Sequence, residues 1–298
     1  MSDQIKGLCF ALLAMLGGGL YAIPYRLSLE TVDPLPVIWG VFFWAFLFSL
    51  PGAWLARQRI NFSWKTVNIT LLTSLAGLLG NYSICQALNL ASPTLLILLT
   101  RSEIIIAMLL SWLFLKEIIS VRVWMSVVAI IAGIIVMKLD SLSFELTNWS
   151  AILWAICTAF SFAVMVVLAK SIIHEINPQV LNASRLALGL VILWSLAEVR
   201  SGVAVLQVTE WKWLALAAFC GPFLGRVSYN YALRYLTVSK LVIISSFSPV
   251  TTLIFEFLVF GTLISWFEAL GGTIMLAGIL WVFLPGLQQN VKIPATLK

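Results

Sequence analysis

Apolar residues run along the chain in blocks of about 20, the length that crosses a bilayer as a helix, separated by short breaks rich in charge or turn residues. The pattern predicts ten helices, at 5–26, 36–56, 66–89, 93–115, 121–139, 149–170, 179–199, 211–234, 239–262 and 266–285. Tryptophans gather near the proposed ends, among them Trp39, Trp54, Trp64, Trp124, Trp149, Trp211, Trp213, Trp266 and Trp281. Their rings are apolar with one polar N–H, which suits the membrane–water interface.

Composition agrees: 61% of the 298 residues are hydrophobic and 10% charged, against about 45–50% and about 25% in soluble domains. With short connections, no room is left for an appended catalytic or ligand-binding domain. The first apolar stretch, Gly7 to Ile23, lacks a small-residue cleavage site and is expected to remain as the first span. The net charge of +6 bears on topology rather than on nucleic acid, because the basic residues are scattered. With the N-terminus inside, eleven lie on the cytoplasmic side (Lys6, Arg57, Arg59, Lys65, Lys116, Arg122, Lys170, Arg234, Lys240, Lys292, Lys298) and four outside (Arg26, Lys138, Arg200, Lys212). Positive loops are retained in the cytoplasm, so both termini are expected there, in a multi-pass protein of a cell inner membrane. The oligomeric state is not legible.

An internal repeat organises these spans. Residues 80–136 align without gaps to 225–281 at an offset of 145, with identities that include Gly80/Gly225, Ser83/Ser228, Ala87/Ala232, Leu88/Leu233, Ile119/Ile264 and Ala132-Gly133-Ile134 against Ala277-Gly278-Ile279. The chain divides at this stage into 1–145 and 146–298, each with five spans. An odd number of spans makes the second half enter the membrane upside down. The expected fold is thus an all-α membrane protein, ten transmembrane helices as two inverted five-helix repeats. Such repeats suit alternating access around one central site.

The chain resembles the drug/metabolite transporter superfamily, in particular its EamA-type ten-helix members. The resemblance is carried by Ala87-Leu88, the run Trp112-Leu113-Phe114-Leu115-Lys116-Glu117, the segment Ser246-Phe247-Ser248-Pro249-Val250 and the two Ala-Gly-Ile runs. It departs from that pattern at Lys116, where the family usually has glycine, at Ile104, which stands opposite Pro249, and at Gly261-Thr262, which lacks the acidic residue. The resemblance implies transport of amino acids or related metabolites, in the outward direction.

Polar residues that hydrocarbon should exclude mark the candidate site. An ionisable group at mid-helix costs about 2.5–3.5 kcal/mol on insertion scales, so each needs a partner or a hydrated cavity. Five qualify: Arg101, Glu103, Arg185, Arg226 and Glu256. Ser245, Ser248, Thr252 and Glu256 fall on one helical face, and the offset maps them onto Thr100, Glu103, Ala107 and Ser111. Arg101 and Glu103, two residues apart, should not pair with each other. Tyr82, Gln86 and Asn89 share a face, as do Asn182 and Arg185, and Arg226, Tyr229 and Asn230; aromatic rings beside amides suit a substrate with an apolar part and a polar headgroup. Gly17-Gly18-Gly19, Pro24 and Pro249 are candidate hinges, or sites of close packing.

The expected function is secondary transport of a small polar or zwitterionic metabolite, an amino acid for example, by alternating access. No GxxxxGK[ST] motif supplies ATP binding. No cofactor is expected, and the coupling ion would be a proton, with Glu103 or Glu256 changing charge between states. The alternative is an anion or phosphate-ester exchanger that uses Arg101, Arg185 and Arg226 as clamps. An enzyme is not expected: the single histidine, His174, falls in a loop, and no HExxH or GxSxG occurs. Cys9, Cys85, Cys157 and Cys220 lack metal-ligand spacing.

Overall fold

A computed structural model describes residues 3–29, 33–56, 63–90, 99–137, 139, 149–261 and 265–283. The described residues contain helices and no strands. In chain order the helices are α1 (Asp3–Leu29), α2 (Pro34–Ala56), α3 (Trp64–Leu90), α4 (Ser102–Leu115), α5 (Val121–Met137), α6 (Trp149–Ile172), α7 (Pro178–Trp194), α8 (Ala197–Ala204), α9 (Val208–Ala218), α10 (Arg226–Tyr235), α11 (Val238–Ser245), α12 (Ser248–Phe260) and α13 (Trp266–Phe283). Among them, Asp3–Tyr25, Pro34–Ala56, Trp64–Ala87, Trp149–Ile172 and the joined segment Val238–Phe255 are each long and apolar enough to cross a membrane. Leucine, tryptophan and phenylalanine side chains stand exposed along these helices, such as Leu55 at 84% and Leu153 at 67%, as a lipid-facing surface requires.

Four predicted spans are interrupted. The seventh does not run to residue 199: α7 ends at Trp194 and α8 leaves at 95°. Across this bend Arg200 Nη1 donates to the carbonyls of Trp194 and Ser195 at the end of α7. The eighth contains a π-helical stretch, Phe219–Gly225, around Pro222. Proline lacks an N–H, and the widened turn leaves the Pro222 carbonyl free to accept from Asn182 Nδ2 at 2.9 Å. The ninth breaks at Ser246-Phe247, with Pro249 in the first turn of α12. The fourth is interrupted at the equivalent place: Thr100 is helical, Arg101 is a turn, and α4 restarts at Ser102.

The packing respects the repeat. The offset converts α1 into α6, α2 into α7, α3 into α9–α10, α4 into α12 and α5 into α13. The major contacts α3·α6 and α1·α10 are exchanged by that conversion, as are α4·α6 and α1·α12, while α2·α7 and α5·α13 map onto themselves. The same relation holds atom by atom. A Cβ on Gly133 would lie 2.6 Å from Met275 Cγ and 2.7 Å from the Gly271 carbonyl, and one on Gly278 would lie 3.3 Å from the Ser126 carbonyl and 3.6 Å from Ile130 Cγ1. Residues 126 and 130 are the repeat partners of 271 and 275. Likewise Gly80 faces the Phe162 ring, and Gly225 faces Gly17, the repeat partner of Phe162. Between apolar helices in lipid, close backbone approach of this kind is a main source of adhesion.

A bulky residue at such a contact overpacks it. Gly133→Leu is expected to destabilise the protein by about 1–3 kcal/mol. At Gly272 an added Cβ would meet Val250 Cγ2 at an ordinary 3.4 Å, so Gly272→Ala is expected to unfold at or above the wild-type temperature. Thermal unfolding of the purified variants in detergent compares the two.

Candidate functional site

Three of the interruptions, all but the one after Trp194, converge on a cavity of about 260 Å³ between the two halves. Its charged walls are Arg101, Glu103, Arg185 and Arg226; Asn81, Tyr229, Ser245 and Ser248 add polar groups, and Tyr21, Phe42 and Phe162 supply rings. The breaks account for the convergence. Arg101 occupies the turn before α4 and Glu103 that helix's first turn, and both line the cavity. Ser245 and Ser248 flank the equivalent break. Arg226 follows the π-helical stretch directly.

Each arginine is held differently. Arg185, 5% exposed, donates from Nη2 to Asn182 Oδ1 at 3.2 Å and stacks over Phe42 at 5.7 Å. Asn182 in turn donates to Ser49 Oγ at 3.0 Å, and Ser74 Oγ donates to the Arg185 carbonyl at 2.6 Å. Arg226 stacks over the Tyr229 ring at 5.3 Å. The Nε atoms of Arg101 and Arg185 and the hydroxyl of Ser245 are buried with no hydrogen-bond partner among the described residues. Within 4 Å, the described residues form the ion pairs Lys6–Asp3 and Lys65–Glu175, neither of them at the cavity. Three guanidiniums and one carboxylate thus face one space with donors unspent, an arrangement suited to a guest rich in acceptors.

Other residues singled out from the sequence lie elsewhere. Tyr82 is 37% exposed and packs edge-on against Trp154. Gln86 is half-buried and does not line the cavity. The inward residue of α3 is Asn81, whose Nδ2 donates to the Gly77 carbonyl at 2.7 Å. Asn230 is buried beside a void of about 10 Å³ shared with Arg185, Arg226 and Tyr229, room for about one water. Thr252 donates to the Gly19 and Ser248 carbonyls and so ties α12 to α1. The side chains of Glu256 and Asn89 lie outside the described ones. The offset carries the signal that would have found one of the missed residues, since Asn81 is the repeat partner of Arg226.

At one end of the bundle the helix ends are tied together by charged side chains. There Lys170 Nζ donates to the Leu233 and Leu236 carbonyls, and Arg234 donates to those of Ile173 and Ile176. Lys65 Nζ donates to Glu175 at 2.6 Å, and this hydrogen bond holds the Glu175 carboxyl below its ordinary pKa. Glu117 accepts from Val238 N at 2.9 Å and from Ser239 Oγ at 3.4 Å, which caps α11. Buried Ile172, Ile173, Leu181, Leu233 and Leu241 fill the space behind these bonds. His174 is exposed in the α6–α7 loop. Among the described residues no group of three or more His, Cys, Asp or Glu is arranged to hold a metal ion.

An all-α membrane bundle built from two matching halves around a polar, charged cavity has the architecture of a solute transporter. The chain belongs to the EamA-like transporter family, which matches residues 5–139 and again 149–284. It is 36% identical over 74 residues to a probable transport protein of Saccharomyces cerevisiae, a match covering 25% of this chain and 21% of the yeast protein. A protein solved by crystallography shares the fold with a TM-score of 0.76 over 94% of this chain and 96% of its own, at 19% identity.

Capping by Glu117 is testable. Glu117→Ala leaves two donors at the start of α11 unpaired and is expected to cost about 0.5–2 kcal/mol. Glu117→Gln, which keeps an acceptor, is expected to lose less in the same unfolding measurement.

Proposed function

We propose that the protein is a secondary transporter that carries a small zwitterionic metabolite, of the amino-acid kind, through this cavity by alternating access. The supporting observation is the set of three guanidiniums and one carboxylate around about 260 Å³. A guest carboxylate fits Arg185 and Arg226, whose positions are set by Asn182, Phe42 and Tyr229. A guest ammonium fits Glu103. Arg101 supplies a further donor. The rings of Tyr21 and Phe162 would cover an apolar side chain.

In this reading the bonds of Lys170, Arg234 and Glu117 are the closed gate of one access state. The positive-inside pattern puts that gate at the cytoplasmic end, so the cavity would face outward here. Exchanging the two halves' conformations would open the cytoplasmic gate and close the other. Glu103 is our choice for the proton-coupling group, as the carboxylate among the described cavity residues. Outward transport of the metabolite rests on the resemblance to EamA-type exporters.

The excess of positive charge favours a second reading, exchange of a phosphate ester or another anion held by the arginines alone. Glu103→Gln separates the two. For a zwitterion it removes the ammonium partner, and binding is expected to weaken by about tenfold or more, the equivalent of 1.4 kcal/mol; for an anion, binding should hold or tighten. Thermal shifts of the purified protein with amino acids, amines and phosphate esters provide the readout.

Transport checks the remainder. In proteoliposomes a pH gradient is expected to drive uptake by wild type, and Glu103→Gln is expected to remove that drive. Arg226→Gln is expected to abolish uptake in either reading. Uptake by Glu103→Gln that still follows the pH gradient would exclude Glu103 as the coupling group.

A further inference from the structure

Outside the central cavity, a groove of about 610 Å³ runs along the end of α4 and the start of α5, lined by Leu109, Trp112, Leu113, Ile118, Trp124 and, at its polar end, Lys116 with Glu117. Its apolar walls face outward: Trp112 is 59% exposed, Leu113 61% and Ile118 74%. The groove therefore opens to the membrane, and the two tryptophans set its polar end at the interface.

Lys116 holds the unusual backbone. It caps α4 with φ 53°, in the left-handed region, and it is the one non-glycine residue with positive φ among the described residues. Its repeat partner, Gly261, caps α12 at φ 67°. Glycine accepts this conformation freely, whereas a lysine is strained in it. A residue that costs stability at a position where the other half of the same chain has glycine points to a use for its side chain. The ammonium is exposed, and no ion pair within 4 Å engages it among the described residues. The neighbouring Glu117 is turned toward the start of α11, where it accepts from Val238 N and Ser239 Oγ.

We propose that this groove binds an anionic phospholipid, with the headgroup phosphate on Lys116 and an acyl chain along Leu109, Trp112, Leu113 and Trp124. A cation at the interface end and an apolar trough facing hydrocarbon complement the two parts of such a lipid. A soluble phosphate would use only the cation.

The test uses the full chain in nanodiscs of phosphatidylcholine with and without phosphatidylglycerol. Quenching of tryptophan fluorescence by spin-labelled lipids reports their relative association, and thermal unfolding reports stability. Wild type is expected to prefer the phosphatidylglycerol label and to unfold at a higher temperature when that lipid is present. Lys116→Gly is expected to fold and to be more stable than wild type in phosphatidylcholine alone, as the left-handed strain is relieved. It is also expected to lose about fivefold of the lipid preference, the effect of about one surface cation. Lys6→Gln, which removes an exposed cation elsewhere, should retain the wild-type preference. A preference unchanged in Lys116→Gly, absent in wild type, reproduced by inorganic phosphate, or present only with a doubled protein mass, which would make a second copy the occupant, overturns the proposal.

Discussion

Hydrocarbon offers no hydrogen bonds, and this one constraint organises the molecule. Every backbone group must be paired inside its own helix or within the protein, and every charge must find an interior that solvates it. Arg101, Glu103, Arg185 and Arg226 meet the requirement by sharing one cavity. That placement is available only because helices near the centre are interrupted: at Arg101, at Ser246-Phe247 and through Phe219–Gly225. At such points a side chain leaves the regular helical face, and the freed backbone groups are re-paired locally. Asn182 illustrates the economy of this arrangement, since one amide accepts from Arg185 and donates to both Ser49 and the Pro222 carbonyl.

The two halves agree most closely where packing is tightest. Gly133 on α13 and Gly278 on α5 are one contact seen twice, as are Gly80 on Phe162 and Gly225 on Gly17. They differ where the chemistry lies. Arg226 stands against Asn81, Glu103 against Ser248, and Arg101 against Ser246. A pseudo-symmetric scaffold thus carries an asymmetric lining. The break in the fourth span also occurs without the proline found in the ninth, as Ile104 occupies the place of Pro249. The interruption is therefore a property of the shared architecture, to which Ser102 contributes by bonding its hydroxyl to the Leu99 carbonyl at 2.7 Å.

Much of this was legible in the sequence, for physical reasons. Apolar blocks of membrane-spanning length and the offset of 145 revealed the all-helical repeat, and the cost of charge in hydrocarbon picked out the arginines and Glu103. Geometry within a helix was less legible. A regular rotation of 100° per residue put Tyr82 and Gln86 on the functional face, whereas α3 turns Asn81 inward and leaves Tyr82 against Trp154. The same rule kept Arg101 from pairing with Glu103, and the two line one cavity without an ion pair within 4 Å. The 95° turn after Trp194, across which Arg200 reaches back to two carbonyls, falls inside an apolar run that hydropathy reads as one span. Tyr21, Phe42 and Phe162 were hidden among many aromatic residues, because nothing in an apolar run distinguishes a ring facing a cavity from one facing lipid.

Access to the cavity from both sides of the membrane is the central claim, and a single thiol tests it most directly. In a chain whose four cysteines are replaced by alanine, Ser245→Cys places a thiol on the cavity wall. Oriented vesicles are then treated with a membrane-impermeant thiol reagent from one side or the other. Alternating access predicts labelling from either side and protection by a transported solute. Labelling confined to one side and indifferent to every solute would contradict it.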